Sequence, residues 1–256
     1  MSLLIQDLTA GYARRRVIEG FSPAPFHPGT VTALIGPNAA GKSTFLRAIA
    51  GLMPAKGTVR LDDTDLTRLR HADRVRRIRY VPQAYATTAS LSVFDAVLVA
   101  LKQAPGIDIR GTGDDTRTVA AILHRLGIAD LAERGVAALS GGQQQMVALA
   151  QGLVTPAPVL LLDEPTSALD LQRQLQVLAL LNQVAAERDA IVILALHDLA
   201  LAGRHTDRVL LLEPGRIAAD GTPEDVLSSP ACERAYGVHL AVERNSRGSI
   251  TVEAHL

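Results

Sequence analysis

The period of the hydrophobic pattern changes several times along the chain, and each change predicts an element. "LLIQDL" (3–8) alternates as a strand does, and "TVTALIG" (30–36) is a short apolar strand running into a Gly-rich turn. Helical spacing follows in "KSTFLRAIAGL" (42–52), which stops near Gly51 with Pro54 beyond it. "GTVRLDD" (57–63) and "IRYVPQ" (78–83) predict two more strands. From 84 to 153 the pattern turns helical, in "SVFDAVLVALK", "DTRTVAAILHRLG" and "GGQQQMVALAQGLV". Between the first two lies "QAPGIDIRGTGDD" (103–115), whose Gly, Pro and Asp content predicts a mobile loop. "PVLLLDEP" (158–165) and "AIVILALHD" (190–198) are continuous apolar runs, as strands buried on both faces of a parallel sheet would be. A helix at 168–189 joins them, with Leu175, Leu178 and Leu181 expected on one side, and 207–221 reads as a hairpin around Pro214 and Gly215. The layout is an α/β core interrupted by a helical lobe.

Composition narrows the classes. With 26 basic and 26 acidic side chains the formal net charge is zero, which gives no electrostatic reason to expect a nucleic-acid track. The densest basic run, "HADRVRRIR" (71–79), reads as a solvated helix face. A single cysteine, Cys232, rules out an intrachain disulfide and fits a reducing compartment. No apolar run approaches the roughly 18 residues a spanning helix needs, and "MSLLIQDLTAGY" lacks the marks of a signal peptide. A soluble, cytoplasmic chain is expected, with any membrane association made through a partner.

The chemistry concentrates in a few stretches. "GPNAAGKST" (Gly36, Pro37, Asn38, Ala39, Ala40, Gly41, Lys42, Ser43, Thr44) fits the phosphate-loop pattern and lies between a predicted strand and helix. Its glycines let the backbone close around phosphates and aim N–H groups and a helix N-terminus at them. Lys42 would reach the β- and γ-phosphates of ATP, and the Ser43 hydroxyl would ligate Mg²⁺. "VLLLDEP" ends an apolar strand in two carboxylates, Asp163 for the metal and Glu164 for an attacking water. Gln83 is placed to sense the γ-phosphate or the metal, His197 to bond a γ-phosphate oxygen, and Tyr12 to stack on a base. Taken singly, Gln83 reads first as polar surface, His197 as a satisfied core histidine and Tyr12 as one aromatic near the N-terminus; the order of the pieces reverses these readings. "ALSGGQQQMVALAQ" (138–151) poses a separate puzzle, a second Gly-rich helix start about a hundred residues after the first.

In this order, "GPNAAGKST", Gln83, "LSGGQ" (139–143), "LLLDEP", "SALD" (167–170) and His197 resemble an ABC-transporter ATP-binding subunit over essentially the whole chain. "LSGGQ" is the stretch that separates that family from other phosphate-loop NTPases. The resemblance implies an α/β P-loop NTPase: a RecA-like core with a mixed sheet and an antiparallel β subdomain (1–83 and 154–256), and a helical subdomain (84–153) carrying the signature. It implies Tyr12 as the adenine-stacking residue, Gln83 as a catalytic and metal-linked glutamine, and His197 as the switch histidine. It also implies a head-to-tail homodimer around two ATP molecules. There Ser140, Gly141, Gly142 and Gln143 cover the partner's nucleotide in trans, and Asp170 couples the two sites, which answers the puzzle of the second helix start.

"LSVFDAV" (91–97), the stretch 194–227 and "AYGV" (235–238) look like the ATPases of bacterial importers for ferric siderophores, haem and vitamin B12. That likeness implies a permease dimer docked near Gln83 and residues 84–100, an extracytoplasmic substrate-binding protein behind it, and a place on the cytoplasmic face of the inner membrane. Iron chelates are the expected cargo. Two departures from the family pattern stand out. Ala39 replaces a usual glycine, costing on the order of 1 kcal/mol if the position needs positive φ, and Gln144 and Met146 replace two arginines. The alternative is a non-transport ABC ATPase of DNA repair or translation, but repair members carry a long coiled coil and translation members two fused ATPases. A phosphoryl-transfer kinase would have no use for "LSGGQ".

Overall fold

The computed structural model describes residues 1–12, 15–83, 91–103 and 113–256. Of the expected loop at 103–115, residues 104–112 lie outside the described residues, as does 84–90 of the expected docking groove, while 113–115 instead begin a helix.

Twelve strands and nine helices carry the fold among the described residues. In chain order they are β1 (Leu3–Tyr12), β2 (Arg15–Phe21), β3 (Val31–Ile35), α1 (Lys42–Ala50), β4 (Ala55–Leu61), β5 (Thr64–Asp65), α2 (His71–Val75) and β6 (Ile78–Val81). Then follow α3 (Val93–Lys102), α4 (Gly113–Arg125), α5 (Gly141–Leu153), β7 (Val159–Leu162), α6 (Leu171–Arg188), β8 (Ile191–Ala195) and α7 (Leu199–His205). The chain ends with β9 (Arg208–Glu213), β10 (Arg216–Gly221), α8 (Pro223–Leu227), α9 (Pro230–Tyr236), β11 (His239–Arg244) and β12 (Ile250–His255).

The central sheet runs β10-β9-β3-β8-β7-β6, parallel except for β10 at its edge. The central strands β7 and β8 read as unbroken apolar runs because both faces are covered. Val31, Ala33 and Ile35 of β3 face one core cluster, with Leu160 and Leu162 of β7. Leu34, Val159 and Leu161, one residue out of phase, face the other with Phe45 and Ile49 of α1. A second sheet, β2-β1-β4-β5, is antiparallel. Helices α3, α4 and α5 pack on one another, and α5 also lies on β6.

Local signals set the element ends. α1 stops at Gly51, which is left-handed at φ 74, and α3 starts at Ser92, whose hydroxyl accepts from the Asp95 N–H. Helix α6 differs from expectation in one respect. Its buried residues are Val177, Leu178, Leu180, Leu181, Val184 and Ala185, whereas Leu175 is 40% exposed. At 100° per residue, two successive steps of three drift off the core face, while alternating steps of three and four stay on it. The basic run at 71–79 is a solvated helix face only in part. His71–Val75 form the short helix α2, none of it fully buried, but Ile78 and Arg79 belong to β6, where Ile78 is buried, and half-buried Arg74 donates to the Ala48 and Ile49 carbonyls at the end of α1. Among the described residues, no helix is long and apolar enough to cross a membrane.

Candidate functional site

Four neighbouring strands, β3, β8, β7 and β6, deliver their carboxyl ends to one edge of the central sheet. The residues immediately beyond them are the Gly36–Thr44 loop, His197, Asp163 with Glu164, and Gln83. Register fixes this convergence of positions far apart in the chain.

The loop is shaped by close backbone approach. Gly36 has φ 143, and a Cβ there would stand 2.2 Å from the Leu212 carbonyl oxygen. Ala39 takes φ 64, so the alanine that departs from the family pattern does sit in the left-handed region. The Lys42 ammonium donates to the carbonyls of Gly36 at 2.7 Å and Pro37 at 3.2 Å. Burial lowers its pKa, while Glu164 and Asp163 act to raise it. The Gly36 N–H donates to the Tyr236 hydroxyl at 2.8 Å, so the C-terminal helix α9 reaches the loop.

Asp163 is buried, at 1% exposure, and three side chains converge on it. The Ser43 hydroxyl donates to Oδ1 at 2.8 Å and the Tyr80 hydroxyl to Oδ2 at 2.9 Å, while Arg47 stands 3.8 Å from Oδ2. Arg47 also donates to the Tyr80 hydroxyl at 3.1 Å and the Tyr12 hydroxyl at 3.2 Å. Burial pushes the Tyr80 phenol up to about 12, so it remains a donor to the carboxylate. The hydroxyl and carboxylate form a hard-oxygen pair suited to Mg²⁺, which takes few protein ligands and completes its shell with water and phosphate.

Glu164 follows at φ 52, another left-handed residue. Its Oε2 accepts from the Gln83 amide at 2.6 Å, and its Oε1 lies 2.5 Å from His197 Nε2. A cleft of about 670 Å³ opens beside these groups, lined by Tyr12, Arg15, Arg16, Asn38 to Thr44, Glu164, His197, Pro214 and Gly215. The volume is of the size a nucleotide needs.

The signature residues stand apart from that cleft. Ser140 caps α5 in a reciprocal box: its hydroxyl accepts from the Gln143 N–H at 3.4 Å, and the Gln143 amide oxygen accepts from the Ser140 N–H at 3.0 Å. Ser140 and Gly141 are exposed. Asp170 caps α6, accepting from the Arg173 N–H at 2.9 Å. Sequence reasoning missed Arg47, Tyr80, Gln145 and Tyr236. None carries a motif of its own, and each matters only through a partner that the fold brings near.

A family model described as ABC transporter matches residues 24–167. The chain belongs to that family. Among ABC relatives it is 37% identical over 254 residues to the cobalamin import ATP-binding protein of Halobacterium salinarum, covering 98% of this chain and 63% of that one. The chain thus spans under two thirds of that relative's length. It is 42% identical over 209 residues to the hemin import ATP-binding protein of Nocardia farcinica, covering 81% of this chain and 72% of the relative. A solved ATP-binding subunit of an ABC transporter superposes with a TM-score of 0.78 at 26% identity, over 93% of this chain and 94% of that one. The mixed sheet, the antiparallel sheet and the packed helices are the P-loop NTPase form of the ABC fold.

Proposed function

We propose that the chain is the ATP-binding and ATP-hydrolysing subunit of an importer, working as a head-to-tail homodimer beneath a separate permease pair. The observation that carries the reading is the meeting of Gln83, Glu164 and His197 beside the Lys42 loop. The Lys42 ammonium, held by two loop carbonyls, is the group that turns to the β- and γ-phosphates, with Tyr12 against the base. Magnesium held by Ser43 and Asp163, with the Gln83 amide oxygen beside it, would neutralise charge on those phosphates. Glu164 takes a proton from the attacking water, the bond from the γ-phosphorus to the bridging oxygen breaks, and His197 orients the water and the γ-phosphoryl oxygens. Ser140, Gly141 and Gly142 present an exposed helix N-terminus outside their own cleft, which suits donation to a partner's nucleotide, with Gln143 holding that cap and Asp170 joining the two sites.

The lobe spanning 84–153 is the part that would face the permease, fed by an extracytoplasmic binding protein. The cobalamin and hemin relatives favour a metal-chelate cargo, and we take an iron chelate, haem or siderophore, as the first candidate. Such a subunit sits peripherally on the cytoplasmic face of the membrane. Glu164→Gln should bind ATP normally, hydrolyse it at least about 100-fold more slowly and accumulate dimers in ATP by sedimentation. Wild-type turnover in that variant, or monomers in saturating ATP, would overturn the reading.

A further inference from the structure

Gln145 lies in the first turns of α5, five positions after Ser140, and is 5% exposed. A buried amide must find partners for its donors and its acceptor. Here both ends are spent on one short turn. Nε2 donates to the Glu164 carbonyl at 2.6 Å, and Oε1 accepts from the Ala168 N–H at 3.0 Å. The side chain thus spans the turn from 164 to 168. At one end of it stands Glu164, at φ 52, and just past the other end is Asp170. Ser167 also donates to the Glu164 carbonyl, at 3.3 Å from its N–H and 3.1 Å from its hydroxyl, but from within the turn itself. Gln145 brings a shorter bond from a separate element. The approach is close as well: a Cβ at Gly142 would stand 2.7 Å from the Ala168 carbonyl oxygen. The start of α5 therefore cannot shift without straining or dragging the turn.

We propose that Gln145 is a positioning residue that makes the signature helix and the catalytic turn of one protomer a single moving part. When Ser140 to Gly142 close on a partner's triphosphate, the pull passes through the Gln145 amide to the backbone of Glu164 in the same chain. The carboxylate is then set for water only when the chain is engaged on its other side. The inference rests on the head-to-tail reading above.

Gln145→Met keeps the bulk of the side chain and removes both hydrogen-bonding groups. Gln145→Glu keeps an acceptor for Ala168 and turns a carboxylate on the Glu164 carbonyl. In the full-length protein both should lose turnover at saturating ATP by about 10- to 100-fold, the glutamate variant at least as severely. Nucleotide affinity, read with a fluorescent ATP analogue, should stay within about twofold of wild type, and the Hill coefficient for ATP should fall towards unity. A purely structural role would instead move melting temperature, affinity and turnover together, and that pattern overturns the proposal. So does wild-type turnover and cooperativity in either folded variant.

A measurement without substitution at 145 covers the case in which neither variant folds. In Glu164→Gln, ATP should slow amide hydrogen exchange in 140–145 and 164–168 together, and slowing in one segment alone overturns the inference. If Glu164→Gln stays monomeric in ATP, the head-to-tail reading falls and takes the inference with it. If it dimerises while Gln145→Met turns over normally, only the inference falls.

Discussion

Ala39, at φ 64, holds its Cβ where the left-handed backbone crowds it against a carbonyl oxygen. Glycine there would remove the crowding at the cost of a freer unfolded chain. Ala39→Gly is expected to stabilise the protein by up to about 1 kcal/mol, read as a higher denaturant midpoint at unchanged slope. Cys232 tests burial in a different way. Its thiol is pushed up to about 11, chiefly by burial, with Glu233 adding to it. The folded state holds that proton more tightly than the unfolded chain does. The stabilisation is therefore whole below the ordinary value of 9.0 and is lost as pH rises through about 11. Cys232→Ala should flatten the fall in melting temperature over that window. The slope that remains includes contributions from Tyr80 and Tyr236, both raised to about 12 by burial, and is opposed by Lys42, whose burial-lowered pKa acts in the other direction.

Between elements, the contact of α5 with β6 leaves no room. A Cβ at Gly152 would stand 2.3 Å from a Val81 methyl, so Gly152→Ala is expected to cost about 1–3 kcal/mol, measured by chemical denaturation. The strand of that pair ends two residues before Gln83, so the same variant should lower turnover more than nucleotide affinity. Elements of this kind were legible in the sequence where one pattern ran long enough. β3, β7 and β8 announce themselves as apolar runs, and α1, α3 and α6 as periodic stretches with caps. The strands β11 and β12 were not legible, because a two-stranded ribbon with half-exposed faces has no core rhythm to show. Leu175 misled because it is apolar at helical spacing yet lies on the outer side of α6.

Across the whole molecule, the candidate site was legible as far as its residues sit in runs that need one another: the phosphate loop, the acidic pair and the signature. Arg47, Tyr80, Gln145 and Tyr236 stayed hidden because their partners lie 33, 83, 19 and 200 positions away, and only folding supplies them. The last of these joins the chain's far end to its nucleotide loop. Tyr236→Phe leaves the Gly36 N–H without that acceptor and should cost about 1–3 kcal/mol, with weaker ATP binding in the same titration series. A different tension is built into Glu164. Its backbone suits glycine or asparagine better than glutamate. If Glu164 has the role proposed above, selection for heat resistance alone would erase the carboxylate and leave a hardier, inert protein. At that single codon, endurance and activity pull in opposite directions, and only a cell that needs the work done keeps the less comfortable residue.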